Sequence, residues 1–480
     1  MILSPKIMVS AGITAFGLNG YVSAQQQPNI LFILIDDMGY PAIETYGNKF
    51  VKTPHINSLA QQGMSFEQAY ACPQSTPTRA SLLTGQYTAR NKMWHVVPYY
   101  GYPKARVQEP KYLQELPREQ FTVAEALKTA GYNTAMIGKW HLSTYDNDGY
   151  YTYLYTDKAA YYGFNYVLPF QNPREYQSVG DKGVDMLTSE TMKFMEKSAD
   201  KPFFVYLSHH TVHQKVLAPE YLVKKYRELG FAEKGLHSAT YMAAIEHLDN
   251  SVGKLIEKLK QLGKYDNTII FFVSDNGGVD YEFDNAPLRA GKGSAYEGGT
   301  RVPFIVKWPQ VTTSALISQL PVHVVDVYPT MLEMAGIKNR AGQVLDGKSI
   351  VPLLKQNKSA QHKFSKRPVY FYQPLYDPQW GAAPSASMVL GDYKILWFFG
   401  DYIDVDNKLA YTPEGRVELY NLKTDLSETT DLSAREPRRT KAMKAKLTKW
   451  ILKSGAEIPT INPNFDINKW TEIDTSKKEE

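Results

Sequence analysis

The sequence predicts an α/β fold, with a largely parallel central sheet between helices and a smaller second unit after it. Three observations carry this. Continuous apolar runs at Asn29–Ile35, 202–207 and 267–273 show no apolar/polar alternation, so they read as strands buried on both faces, the arrangement of parallel sheets. Helical patterns lie among these runs. Residues 239–262 carry Ile245, Leu248, Val252, Leu255, Ile256 and Leu259 at a spacing that buries one helix face. Residues 122–130 read as a helix that feeds a strand over 132–137. Beyond a polar, basic stretch at 355–367, read as a linker, strand-like runs at 369–372, 388–390, 394–398 and 417–419 precede a helix over 435–452.

With 480 residues the chain can form two or three units around sizeable cores. Its 43% hydrophobic and 21% charged content is that of a globular protein. A net charge of +5 without a dense basic tract argues against nucleic acid as a partner, while a mildly basic chain suits an anionic substrate. Residues 1–24 read as a secretory signal: Lys6, an apolar run over 7–18, then the small residues of Val22-Ser23-Ala24. The expected address is periplasmic or secreted. No cysteine follows the cleavage point and no later run is long enough to span a bilayer, so no membrane anchor is expected. The single cysteine, Cys72, cannot make an intrachain disulfide.

Polar residues that can do chemistry gather where the predicted strands end. Asp36-Asp37 close the first run, and Asp275-Asn276 follow the strand over 267–273. Two adjacent carboxylates there are a metal site or a solvated turn; with the second pair they make an all-oxygen set, which selects Ca²⁺ or Mg²⁺ over zinc. At Ser75-Thr76-Pro77 the sequence predicts a helix capped by Thr76 and starting at Pro77. Ser75 then faces the positive end, which favours sulfate or phosphate. Three histidines within 209–213 are either a zinc cluster or the source of one catalytic imidazole, and His247 on the long helix reads as structural. Aromatic-rich segments around Trp94 and His95, over 150–166, and at Tyr372, Tyr376 and Trp380 either contact a sugar or pack their own loops.

The run from Ser75 through Pro77 and Arg79 to Leu83-Thr84-Gly85 resembles the signature of the formylglycine-dependent sulfatases. Only the Ser75 register fits, because a register starting at Cys72 puts Thr76 where arginine belongs. The resemblance implies that Ser75 is oxidised to formylglycine (3-oxoalanine) by a serine-type anaerobic sulfatase maturase, and that Arg79 steadies the hydrated aldehyde. Gly138-Lys139-Trp140-His141 resembles the block that supplies a sulfate-binding lysine, Lys139, and an acid/base histidine, His141. The family often continues with Leu-Gly where this chain has Leu142-Ser143. Gly291-Lys292-Gly293 resembles the second sulfate-binding lysine, Lys292. His213 is expected to be the catalytic histidine of the 209–213 cluster, with His210 the alternative, because Val212-His213-Gln214-Lys215 replaces the usual Pro-His-x-Pro.

By the same resemblance the metal is Ca²⁺, held by Asp36, Asp37, Asp275, Asn276 and the modified Ser75. Related phosphonate and phosphodiester hydrolases tend to carry histidine at the Asn276 position, so Asn276 argues for sulfate. The implied fold is an alkaline-phosphatase-like sandwich with a mixed, largely parallel central sheet, plus a smaller C-terminal antiparallel sheet with a helix. The expected division is a signal over 1–24, a catalytic domain over 25–365 and a C-terminal subdomain over 366–480 that completes the substrate pocket. The expected activity is hydrolysis of sulfate esters on sulfated saccharides. A phosphoester or phosphonate hydrolase and a catalytically silent glycan-binding protein are the alternatives.

Overall fold

The computed structural model describes residues 27–143, 157–168, 180–198, 200–403 and 409–466. The expected signal segment 1–24 and the first part, 150–156, of the tyrosine-dense stretch over 150–166 lie outside the described residues. The part of that stretch that is described forms a 3-10 turn, Asp157–Tyr162, and the start of a short edge strand, Tyr166–Val167.

An eight-stranded sheet forms the centre, in the spatial order Leu316–Ser318, Met64–Phe66, Phe304–Lys307, Thr268–Ser274, Asn29–Ile35, Phe203–Ser208, Asn133–Gly138, Tyr166–Val167. Neighbours run parallel except on the two sides of Phe304–Lys307. The Asn29–Ile35 strand lies in the middle and is buried on both faces. Ile30, Phe32 and Leu34 enter one core layer, while Leu31, Ile33 and Ile35 enter the other. Helices Ala239–Gln261, Val184–Lys197, Glu220–Glu228 and Pro54–Gln61 cover the second layer, and Ser75–Thr84, Val123–Thr129 and Val327–Met334 cover the first.

Register decides what emerges from the sheet. Three strands start and end one residue later than their apolar runs suggest, because Gly138, Ser208 and Ser274 extend the parallel pairing: Gly138 lies opposite Ser208, Leu34 opposite Ser208, and Ile35 opposite Ser274. The carboxyl ends are therefore level, as open α/β sheets require of a site. Gly138 has no substitute here. Its φ is +106°, and a Cβ would lie 1.9 Å from the Ser208 carbonyl oxygen.

The predicted linker is not one. Within it Lys358–Ser365 forms a helix, capped by the Asn357 side chain and anchored by buried Phe364 in the first core layer. Arg367 then makes a two-pronged contact with Asp326 at 2.8 and 2.7 Å. Polar composition on that segment's outer face hid one apolar anchor. The smaller sheet is antiparallel, in the order Val369–Gln373, Ser385–Leu390, Tyr393–Phe398, Arg416–Asn421. Helix Pro437–Lys453 packs on it through Met443, Leu447 and Ile451. Among the described residues, no helix is long and apolar enough to cross a membrane.

Candidate active site

Helix Ser75–Thr84 is buried along its whole length. It begins at Ser75 with Gln74 as its cap residue, two residues earlier than the capping pattern predicts. Thr76 is not the cap. Its hydroxyl donates instead to the His141 carbonyl at 2.8 Å, tying the helix start to the loop after the Asn133–Gly138 strand. Ser75 is thus the first helical residue, its hydroxyl oxygen 3.1 Å from Asp36 Oδ1, 3.3 Å from Asn276 Oδ1 and 3.3 Å from Lys139 Nζ.

Around that hydroxyl the strand ends bring together three carboxylates and three cations. Lys139 lies 2.7 Å from Asp36, and Lys292 lies 2.8 Å from Asp37. Arg79 grips Asp275 Oδ2 through Nε at 3.1 Å and Nη2 at 2.6 Å, and donates to the Lys139 carbonyl and the Ser208 hydroxyl. Asn276 donates to Asp37 Oδ1 at 2.8 Å. Burial alone would raise Asp36, but Lys139, His213 and Arg79 hold its carboxyl well below the usual carboxylate range. Asp37 is lowered similarly, with Lys292 and His213 outweighing burial. Burial and the charge of Asp36 push Asp275 up to about 6. Burial pulls Lys139 down, whereas at Lys292 the two aspartates overcome burial and raise the ammonium. Ligand oxygens of Asp36, Asp37 and Asp275 all lie within 4.8 Å of one another. With the Asn276 carbonyl beside them, this buried donor set fits a hard divalent cation.

Histidines frame the same space. His141 Nε2 lies 3.1 Å from the Val97 carbonyl, so in the neutral ring Nδ1 is the acceptor. Burial, then Lys139 and Arg79, hold this imidazole well below its ordinary range. His213 donates through Nδ1 to the Gln214 carbonyl at 2.7 Å, which turns Nε2 towards Asp37 at 3.8 Å. Burial and Lys292 lower His213 to about 4. His210 is buried beside the same cations, Lys139 being the largest charge effect upon it, so both candidate histidines adjoin the site. His209 points elsewhere, into a buried group with His247 and Asp181.

The structure decides between sugar contact and packing for most of the aromatic residues. Trp94 is buried against Tyr372, and Tyr372 and Tyr376 are themselves buried, so these three pack. His95 is also buried, its Nε2 3.0 Å from Asp377, and the Gln74 side-chain amide donates to the same oxygen at 2.5 Å. Trp380 takes the other alternative and stays partly exposed beside the site, with Lys292 Nζ 4.7 Å from its ring centre. Sequence reasoning missed Lys182. It reaches in from the turn before helix Val184–Lys197 and donates to the carbonyls of His213 and Gln214. Its only sequence mark is the Gly180-Asp181-Lys182-Gly183 turn, in which Lys182 itself holds a φ of +53°.

An α/β sandwich whose strand ends surround a buried hydroxyl with paired cations and carboxylates is a hydrolase for an anionic ester. Comparison with known proteins makes the class specific. Residues 28–337 match the family model described as sulfatase, and residues 291–454 match that described as the C-terminal region of N-sulphoglucosamine sulphohydrolase. A "Sulfatase" of Formosa agariphila is 31% identical, covering 95% of this chain and 94% of that protein. The N-acetylgalactosamine-6-sulfatase of Homo sapiens is 28% identical over 74% of this chain and 70% of its own. Among solved structures, that described as i-CgsB in complex with k-i-k-neocarrahexaose superposes with a TM-score of 0.71 at 26% identity, covering 94% of this chain and 96% of the other. The chain belongs to the sulfatase family, has its alkaline-phosphatase-like fold and is a sulfuric ester hydrolase.

Proposed function

We propose that the protein is a secreted or periplasmic carbohydrate sulfatase that hydrolyses sulfate esters of sulfated glycans at formylglycine made from Ser75. The observation that carries this reading is the buried Ser75 hydroxyl, set among Asp36, Asn276 and Lys139 at the sheet's carboxyl edge. Glycan specificity is supported by relatives named for N-acetylgalactosamine 6-sulfate and by a neighbour bound to a carrageenan oligosaccharide. Serine-type conversion by an anaerobic maturase is supported by the motif register that starts at Ser75, Cys72 lying outside the helix. The division at 365/366 is supported by Phe364 packing in the first core layer while Val369 packs in the smaller lobe.

Calcium on Asp36, Asp37, Asp275 and Asn276, together with the hydrated aldehyde at position 75, would supply charge compensation and the attacking hydroxyl. The chain's own residues do the rest. Lys139 and Lys292 bind the sulfate oxygens, and the raised ammonium of Lys292 stays charged at neutral pH. Arg79, clamped to Asp275, fixes the start of the helix. His141, with Nε2 committed to Val97, presents the acceptor form a general base needs. His213 holds Nε2 towards the site, which places it to pass a proton to the departing alcohol. Lys292 is the second candidate donor.

The test is sulfate release by protein co-expressed with a serine-type maturase, across sulfated mono- and oligosaccharides, with mass spectrometry of the peptide carrying position 75. Release from one sugar position, absent in Ser75→Ala, is the expected result. Aldehyde present but phosphate monoesters cleaved faster than every sulfate would overturn the reading.

A further inference from the structure

Among the described residues, the anion pocket is most open beside His213. Ser75, Arg79, Asp36, Asp37, Asp275 and Asn276 are at most 1% exposed, whereas the His213 side chain is 34% exposed. An ester whose sulfate occupies the pocket must therefore leave its carbon skeleton on the His213 side. There a cavity of about 690 Å³ opens, lined by His213, Gln214, Lys215 and Tyr281 among others. Tyr281 extends the wall towards Lys292 by stacking on Trp380, with ring centres 6.3 Å apart and planes 28° from parallel. Both rings are partly exposed, unlike Trp94, Tyr372 and Tyr376.

Trp380 is held in place by both lobes. It ends the short turn Pro378–Trp380 of the smaller lobe. Asp377, just before that turn, receives the Gln74 amide next to Ser75 and pairs with His95. Gly293, next to Lys292, makes the close approach possible: a Cβ there would sit 2.3 Å from the Trp380 Cβ. Gln373 locks the same glycine by donating to its carbonyl at 2.8 Å. A preorganised aromatic wall gives its full contact energy to a ligand, since little ordering remains to be done on binding.

From this geometry we infer that Tyr281 and Trp380 form the platform of the first saccharide subsite, stacking on the apolar face of the pyranose that bears the sulfate. The inference rests on the sulfate-ester reading above. Lys215 and the Gln214 amide, which Tyr281 contacts, face the same cavity and suit the ring's hydroxyl groups. An aromatic wall with polar groups opposite fits a sugar, which has one apolar face and a polar edge, better than a wholly apolar alcohol.

Protein made without a maturase keeps Ser75 as serine and binds without turnover. Titration calorimetry in calcium then measures inorganic sulfate against galactose 6-sulfate, N-acetylgalactosamine 6-sulfate, glucosamine 6-sulfate and κ-carrageenan oligosaccharides. The parent should prefer its best sugar sulfate over inorganic sulfate, and Trp380→Ala should cut that preference by about tenfold. Tyr281→Ala, on the other lobe, should cut it by roughly threefold, and Trp380→Phe should keep most of it. A preference unchanged in both alanine variants, or no preference in the parent, overturns the subsite and leaves the sulfatase reading standing. A parent that binds neither sulfate nor any sugar sulfate overturns both.

Discussion

Two of the buried charge clusters among the described residues differ in their access to solvent. At the strand ends, Asp36, Asp37 and Asp275 face Arg79, Lys139 and Lys292, with half-open His213 beside a cavity. Where the smaller lobe meets the larger one, Lys394 lies 3.0 Å from both Glu297 and Glu428, and all three side chains are fully buried. Glu297 also receives Tyr70 at 3.1 Å, and the Glu297 amide donates to Glu428 at 2.7 Å. No cavity reaches this second cluster among those described. Its role follows from its place in the chain: it pins Glu297, a few residues beyond Lys292, to the Tyr393–Phe398 strand. Buried charge thus serves binding where a path to solvent exists and serves anchoring where none does.

The contrast is broken most sharply by removing one lysine from each cluster. Lys139→Met should lower the rate of sulfate release by about 10² to 10³-fold while the folded protein persists, measured as initial rates beside a thermal melt. Lys394→Met removes the lysine shared by two buried glutamates, leaving Glu297 only its longer pair with Arg301 at 3.4 Å, and should cost about 3–5 kcal/mol of stability in denaturant unfolding, with a much smaller change in turnover per folded molecule. A smaller effect is expected at Lys182, which holds the carbonyls of His213 and Gln214. Lys182→Met should lower kcat/KM about tenfold, Lys182→Arg should recover part of it, and neither should matter further in a His213→Asn background.

The smallest effect is in pH dependence. Burial pushes Glu428 up to about 7, against the pull of Lys394 and with the help of Glu297. The folded state therefore binds this proton more tightly than the unfolded chain, whose glutamate keeps its ordinary value of 4.5. Stability from this group is full below that value and is lost as pH rises through about 7. Melting temperatures of Glu428→Gln across that window should slope less than those of the parent.

The sequence was most legible where chemistry follows directly on a strand. Asp36, Lys139 and Asp275 sit at or just after the ends of apolar runs, and parallel register alone brings them together. Register also explains the one-residue errors at strand ends, since Ser208 and Ser274 pair like their apolar neighbours. Tertiary contacts account for the rest. Thr76 has the chemistry of a cap but is used to hold the His141 loop, and Trp94 has the chemistry of a sugar platform but fills a core. Lys182, Tyr281 and Asp377 come from loops separated by roughly a hundred residues each, and no local pattern reveals that such loops converge.

The helix that begins at Ser75 has no exposed residue. Any enzyme that alters this hydroxyl needs the segment extended and accessible, and the finished fold exposes only 1% of the residue. On the proposed conversion of Ser75, activation is a race between chemical editing and the chain's own collapse. A preparation can be monodisperse, thermally robust and entirely silent. On that proposal its active fraction would record how quickly the newly made chain met the maturase, which makes expression rate, rather than folding quality, the variable to control.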